Sequence, residues 1–179
     1  MIAALILAGA DARGIPEQWL ALRGAGLDPL RIAIPRGGKA IAAASGLAGE
    51  NFVPDRARSG SPLSALQSGL RALLGADDGW DAVVVQPASA PAPHPSVILA
   101  LLTRLAEGDA GIVRPVHGRK AGFPLVLARQ AAAALLAVNA RRETLDGLLE
   151  ALDGAGAVEG VEVYTSEVLA ARPRRGKAR

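Results

Sequence analysis

The chain is 179 residues long, which fits a single domain, because single cores usually run to about 100–200 residues. Half of the residues are hydrophobic but only 3% are aromatic, so Ala, Val, Leu and Ile must fill the core, as is typical of helices packed on a parallel sheet. The absence of cysteine excludes disulfides, thiolate nucleophiles and zinc-thiolate sites, and it fits a reducing compartment.

The net charge of +3 is concentrated at the C-terminal end. Residues 172–179 contain five basic side chains, and the rest of the chain has 15 basic and 17 acidic residues, a net charge of −2. We therefore predict one near-neutral domain over residues 1–171 and a basic, disordered tail over residues 172–179. The tail has charge that could attract phosphate but no stacking aromatics, which argues against nucleic acid as a partner.

The first ten residues, MIAALILAGA, are apolar but lack the positively charged n-region of a signal peptide. No stretch of the chain approaches the roughly 18 uninterrupted apolar residues that a membrane helix requires. We therefore expect a soluble, cytoplasmic protein that has no membrane partner.

The first half of the chain alternates strands with helices. An apolar run predicts a strand over 2–8, and a helix follows from Pro16 to near Gly24. A second strand is predicted over 30–34, an Ala-rich helix over 37–50 and a short strand over 51–54. Ser61 is placed as the N-cap of an amphipathic helix over 62–74. The apolar stripe of the first helix consists of Trp19, Leu20, Leu22 and Leu27.

The second half continues the alternation and then adds a pair of strands. A strand is predicted over 81–85 and a helix over 95–106. Strands over 111–116 and 123–127 are separated by the polar turn HGRKAG. Helices over 129–138 and 144–152, an edge strand over 158–164 and a last helical turn over 166–171 complete the prediction.

This order of elements predicts an α/β fold, a three-layer sandwich with a mostly parallel sheet. Ligands of such sheets bind beyond the carboxyl ends of the strands. The candidate binding loops are therefore 9–14, 56–61 and 86–94.

The first of these loops, LAGADARG at residues 7–14, directly follows a strand. Its glycines and free N–H groups could cradle phosphate. It does not fit GxGxxG or GxxxxGK[ST], and small residues could equally serve a tight turn from strand to helix. Both interpretations stay open at this point.

Five segments together resemble the MobA-like nucleotidyltransferases, the enzymes that attach GMP or CMP to molybdopterin. LAGADARG resembles the family's LAGGxSxRMG, and SPLSALQSGL, at residues 61–70, resembles GPLAGLxxGL. VVVQPASAPAPHPSVILALL is similar to VLLxPxDxPLVxPxTxxxLL, and IVRPVHGRKAGFPLVLAR to IVxPxxxGRxGHPxLFxR. EVYTSEVL resembles the closing DIDTPEDL. The segments occur in the family's order and at nearly its spacing.

This resemblance implies a Rossmann-like fold of the glycosyltransferase-A or nucleotide-diphospho-sugar transferase type. It also implies a nucleoside triphosphate, CTP or GTP, under the first loop and Mg²⁺ held by the acid of PxDxP in active members. The matching nucleotide-binding positions are Ala8, Gly9, Ala10, Arg13, Gly14, Ser61, Pro62 and Leu63. The matching positions on the substrate side are Arg119, Lys120 and Phe123, where Phe123 replaces the usual histidine.

The chain departs from the family at the charged positions. Ser89 stands at the place of the metal-binding aspartate, and a neutral hydroxyl is a weaker ligand for a hard cation than a carboxylate. Tyr164 stands at the place of an acid in the last motif. The first loop also lacks the family's downstream lysine, because the next lysine is Lys39, beyond the second strand. Nucleotidyl transfer depends on such charge stabilisation, so we expect no intact catalytic set and no metal site.

Other polar residues have a structural alternative. Asp11 is interpreted as a cap of the following helix and His94 as a cap of the helix near 95. Asp55, Arg56 and Arg58 form a charged loop near the presumed base pocket. His94 and His117 lie on separate loops without a partner at ligand spacing, which argues against a metal site between them.

Three hypotheses follow. The favoured one is a MobA-like protein with weakened or lost catalysis that acts as a nucleotide-binding or partner subunit. The alternative is an active NTP:molybdopterin-type nucleotidyltransferase with an atypical Mg²⁺ site, for example one that uses Asp11 or Asp55. The third is a binding module that is anchored through the basic tail.

Overall fold

A computed structural model describes residues 1–10, 12–55, 57, 60–76 and 79–164 of the chain. Its strands are β1 (Ile2–Leu7), β2 (Leu30–Ile34), β3 (Phe52–Pro54), β4 (Ala82–Pro87), β5 (Ile112–His117), β6 (Lys120–Ala121), β7 (Leu125–Ala128) and β8 (Val158–Glu162). Its helices are α1 (Ile15–Gly24), α2 (Lys39–Ser45), α3 (Pro62–Gly75), α4 (Pro95–Glu107), α5 (Arg129–Leu135) and α6 (Leu145–Gly154).

The strands form one sheet in the order β3-β2-β1-β4-β7-β5-β6, and β8 pairs with β5. The pairs β3–β2, β2–β1, β1–β4 and β5–β8 are parallel. The pairs β4–β7, β7–β5 and β5–β6 are antiparallel. The sheet is therefore parallel through its first four strands, and antiparallel pairs join this half to β5 and β8.

Alternate residues of β1 enter two different cores. Leu5 lies in a core with α3, α5 and α6, whereas Ile6 lies in a core with α1, α2 and α4. Such alternation is the two-residue period of a strand that is buried on both faces. The predicted three-layer α/β sandwich is confirmed.

Most predicted elements are present, with informative differences at their ends. The Ala-rich helix ends at Ser45 rather than near residue 50, because Gly46 takes a left-handed conformation (φ 70°) that stops the helix. The predicted turn HGRKAG contains the short strand β6, which pairs with the end of β5. The helix that begins at Arg129 ends at Leu135, three residues early.

The apolar stripe predicted for the first helix is partly wrong. Ile15, Gln18 and Leu22 are the buried residues of α1, whereas Leu20 is 71% exposed. The N-cap position of α1 is Gly14, and Asp11, which we interpreted as a cap, lies outside the described residues.

Three further predictions have different outcomes. Ser61 and His94 cap α3 and α4 as predicted, each accepting a hydrogen bond from a backbone N–H in the first turn. The predicted turn at 166–171 and the basic tail lie outside the described residues. Within the described part of the chain, no helix is long and apolar enough to cross a membrane.

Candidate functional site

A cavity of about 1010 Å³ opens at the carboxyl ends of the parallel strands. The loops after β1, β2, β3 and β4 all contribute to its wall, together with the start of α3, Phe123 and the start of α6. The strands end in register, because Leu7 pairs with Ala33 on one side and with Pro87 on the other. The loops that follow these strands therefore lie side by side.

The first loop lies directly against the loop after β4. Gly14 has φ 81°, a left-handed conformation that favours glycine, and a Cβ atom there would lie 2.1 Å from the carbonyl oxygen of Ala88. Ala8, Gly9 and Ala10 line the cavity. Arg13 is exposed and is not among the residues that line it.

Two buried glutamines hold the loop after β4, which contains Ser89. Gln18 of α1 donates a hydrogen bond from Nε2 to the carbonyl oxygen of Ala90 at 2.5 Å. Gln86 of β4 donates from Nε2 to the carbonyl oxygen of Pro91 at 2.7 Å. Both glutamines are 0% exposed. The path of this loop is thus set by backbone contacts that do not involve the side chain at position 89.

Ser89 lies on this loop, is exposed and lines the cavity. The described residues contain no group of three or more His, Cys, Asp or Glu side chains that could hold a metal ion. Two carboxylates, Asp55 and Asp146, line the cavity with Ser89, but Asp55 lies on the loop after β3 and Asp146 in the first turn of α6. The described donor set therefore does not fit the Mg²⁺ site that the resemblance implied.

Asp55 follows β3 and is 1% exposed. Its Oδ2 accepts a hydrogen bond from Ser64 Oγ at 2.6 Å, and its Oδ1 accepts from Ala57 N at 2.9 Å and Ser68 Oγ at 3.1 Å. Ser64 and Ser68 are four residues apart on α3 and so share one face of the helix. The carboxylate thereby ties the loop after β3 to α3, and both of its oxygens already have partners.

The start of α3 provides another part of the wall. Ser61 accepts a hydrogen bond from Ser64 N at 3.1 Å, and Ser61, Pro62 and Ala65 line the cavity. Leu63, which we predicted at the nucleotide, is instead 0% exposed and packs in the core with α5 and α6. The helical register turns its side chain away from the cavity and toward the sheet.

Of the three residues predicted on the substrate side, one lines the cavity and two do not. Phe123 is partly buried and lines the cavity. Arg119 and Lys120 are exposed in the β5–β6 hairpin and do not line it. Tyr164 is 98% exposed and lines a different pocket with His94 and Glu162. Neither the hairpin cations nor Tyr164 therefore joins Ser89 in the described structure.

Sequence reasoning missed two parts of the cavity. One is the turn after β2, with Arg36, and the other is the start of α6, with Thr144 and Asp146. The turn had a usable signal, because PRGG follows a buried strand whose carboxyl end adjoins the first loop. The start of α6 had none, because it reaches the cavity through tertiary packing. Arg56 and Arg58 lie outside the described residues.

The sheet, its two layers of helices and the cavity at the carboxyl ends of β1, β2 and β4 define a fold of the nucleotide-diphospho-sugar transferase type. Residues 15–157 match the MobA-like NTP transferase domain. The chain belongs to this family, and the predicted resemblance is confirmed. The matched range begins just after the first loop and includes Ser89.

Solved structures with this fold include nucleotidyltransferases. Rv0371c from Mycobacterium tuberculosis H37Rv, in complex with manganese, has a TM-score of 0.70 at 17% identity over 90% of this chain and 87% of that one. A 4-diphosphocytidyl-2C-methyl-D-erythritol synthase from Anaerococcus prevotii has a TM-score of 0.72 at 15% identity over 97% of this chain and 91% of that one. A nucleotidyl transferase from Methanothermobacter has a TM-score of 0.58 at 20% identity over 94% of this chain and 90% of that one. No curated protein matches the chain significantly by sequence.

Proposed function

We propose that this protein binds a nucleotide, CTP or GTP, in the cavity at the carboxyl ends of β1, β2 and β4, and that metal-dependent nucleotidyl transfer is weakened or lost. The observation that carries the proposal is Ser89, a neutral side chain that lines the cavity on the loop where the family has its metal-binding acid. In this role the chain acts as a nucleotide-binding or partner subunit, in a cytoplasmic setting.

The loop around Ser89 supports binding without transfer. Gln18 and Gln86 hold its backbone, and Gly14 packs against Ala88 beside it, so hydrogen bonds and packing within the protein form this part of the cavity wall. Nucleotidyl transfer requires more than a binding cavity, because the negative charge on the reacting phosphates must be neutralised. A hydroxyl in place of a carboxylate removes a hard-cation ligand from this position.

An alternative function is active nucleotidyl transfer to a molybdopterin-type acceptor through an atypical Mg²⁺ site. The observation in its favour is that Asp55 and Asp146 line the same cavity as Ser89. Against it, three hydrogen bonds already occupy the oxygens of Asp55. A similar fold in Rv0371c is described with manganese, which makes the metal dependence of this chain worth measuring directly.

The test is a thermal-shift panel of CTP, GTP, ATP and UTP, each with and without Mg²⁺, on the wild type and on Ser89→Asp. A ligand at 100 times its dissociation constant stabilises a fold by about 2.7 kcal/mol, a shift well above measurement error. We expect one nucleotide to stabilise the wild type equally with and without Mg²⁺, and Ser89→Asp to gain a response that depends on Mg²⁺. A triphosphate response of the wild type that requires Mg²⁺ would favour the alternative, and no response in either protein would reject nucleotide binding.

A direct assay then separates the two functions. Pyrophosphate release from the stabilising nucleotide is measured with molybdopterin as the acceptor. Turnover by the wild type that depends on Mg²⁺ and disappears in Asp146→Asn would establish the active enzyme. We expect no turnover above the background without protein.

A further inference from the structure

We infer that Arg36, on the turn between β2 and α2, is the phosphate-binding cation of this cavity and takes the place of the lysine that the first loop lacks. The inference rests on the proposed nucleotide site and deepens it. It names the chemistry of the ligand group, a phosphate of the nucleotide, and the side chain that recognises it without a metal ion.

The turn that carries Arg36 has a specified backbone. Gly38 N donates a hydrogen bond to the carbonyl oxygen of Pro35 at 2.9 Å, which closes a four-residue turn. Gly37 occupies the third position with φ 78°, as in a type II turn, where glycine is favoured. A Cβ atom on Gly38 would lie 2.8 Å from the oxygen of Pro35 and 3.2 Å from Cβ of Ile34. Arg36 is therefore the one residue of this turn that can present a long side chain.

The charge of Arg36 is available for a ligand. It is exposed, it lines the cavity, and it forms no hydrogen bond or ion pair with any residue that the structure describes. Among the cavity-lining residues in the described part of the chain, it is the one cation. The same lining contains two carboxylates, those of Asp55 and Asp146. A guanidinium pairs with phosphate through two parallel hydrogen bonds, which makes arginine well suited to this task.

The position of Arg36 fits a phosphate that lies over the first loop. β2 is the direct neighbour of β1, and Ala8 N donates to the carbonyl oxygen of Ala33 at 2.9 Å, so the two strands stay paired up to the cavity. Neighbouring strands are about 4.8 Å apart, and an arginine side chain can span that separation. Arg36 and the exposed residues Gly9 and Ala10 thus line the same cavity from neighbouring strands.

The experiment measures binding by titration calorimetry, without metal, for three probes. These are the nucleoside of the nucleotide identified above, its triphosphate and inorganic tripolyphosphate. The proteins are the wild type, Arg36→Ala, Arg36→Lys and the control Lys39→Ala. Lys39→Ala removes the same charge three residues away, from an exposed side chain that does not line the cavity.

We expect Arg36→Ala to lower the affinity for triphosphate and tripolyphosphate about ten- to a hundred-fold, which is the usual effect of losing a hydrogen bond to a charged group. The affinity for the nucleoside should not change. Arg36→Lys should fall between the wild type and Arg36→Ala, and Lys39→Ala should match the wild type. The wild-type affinity for triphosphate should fall with added salt, because exposed charges are screened.

The results distinguish this inference from the proposed function. If Arg36→Ala lost affinity for nucleoside and triphosphate equally, or kept its full affinity for triphosphate, the inference would be overturned while nucleotide binding stands. Binding of tripolyphosphate that depends on Arg36, in a protein that binds no nucleotide, would support the inference and reject the proposed function. A wild type that binds none of the three probes would reject both.

Discussion

Gly14→Ala tests the close packing of the first loop against the loop that carries Ser89. A residue with a Cβ atom costs about 1–2 kcal/mol in the left-handed conformation that Gly14 adopts at φ 81°. The new Cβ atom would also lie 2.1 Å from the carbonyl oxygen of Ala88, so the two loops must separate by about 1 Å to restore ordinary contact. Overpacking of this kind costs about 1–3 kcal/mol, so we expect a total loss of about 2–5 kcal/mol. For a chain of this length, that corresponds to a decrease in Tm of roughly 4–20 °C.

Gly26→Ala is the matched control for this measurement. Gly26 has φ 78°, nearly the same conformation as Gly14, but a Cβ atom there would meet nothing within 4 Å. We therefore expect Gly26→Ala to cost only the conformational part, about 1–2 kcal/mol. Urea unfolding followed by circular dichroism would give both free energies of unfolding, provided that the m-values agree. Equal losses in the two variants would refute the packing argument, because the contact with Ala88 would then contribute nothing.

The remaining predictions concern α3 and its neighbours. Gly69→Ala should lower the free energy of unfolding by about 1–3 kcal/mol, because the new Cβ atom would lie 2.3 Å from Cδ1 of Leu5. In a double-mutant cycle with Leu5→Ala, the loss of the double variant should be smaller than the sum of the two single losses. Losses that simply add would show that α3 and β1 do not approach so closely. Asp55→Ala should lower the free energy of unfolding by about 2–4 kcal/mol in urea, since Ala57 N and Ser68 Oγ lose their acceptor, whereas Ser64 Oγ can still donate to the carbonyl oxygen of Ser61 at 2.9 Å. Asp55→Asn should cost less because it keeps one acceptor oxygen. Equal losses for both variants would contradict this assignment of the hydrogen bonds. Ser61→Ala should lower the free energy of unfolding by about 1 kcal/mol, whereas Ser61→Asp should retain stability because it keeps an N-cap acceptor. The measurement is Tm, and similar Tm values for the two variants would argue against the cap.

Local patterns in the sequence were sufficient to predict most of the elements. Apolar runs located β1 and β2. The spacing of five leucines predicted α3, and four of them are buried while Leu74 is partly buried: Leu63, Leu66, Leu70, Leu73 and Leu74. Patterns of this kind report which residues face a core, and this information is local. The order of the strands is not local, so the insertion of β7 between β4 and β5 could not be read from its apolar run.

The site was predicted less completely than the fold, for physical reasons that differ from residue to residue. Leu63 lies within a stretch that resembles the family's base-binding helix, but the helical register places its side chain in the core. Asp55 was recognised as a loop acid, whereas its hydrogen bonds to Ser64 and Ser68 depend on how the loop folds back over α3. Arg36 was missed although PRGG directly follows a buried strand, because only the cavity shows that the turn after β2 lies beside the first loop.

The two glutamines beneath the loop after β4 have a consequence for how this protein can evolve. Gln18 and Gln86 donate hydrogen bonds to the carbonyl groups of Ala90 and Pro91, so the bonds that hold the loop do not depend on the exposed side chain at position 89. Exchange of serine for aspartate at position 89 therefore leaves both of these hydrogen bonds in place. The side chain at this position can therefore change while the loop keeps its path, although Ser89→Asp alone would restore neither the lysine of the first loop nor the acid at the position of Tyr164.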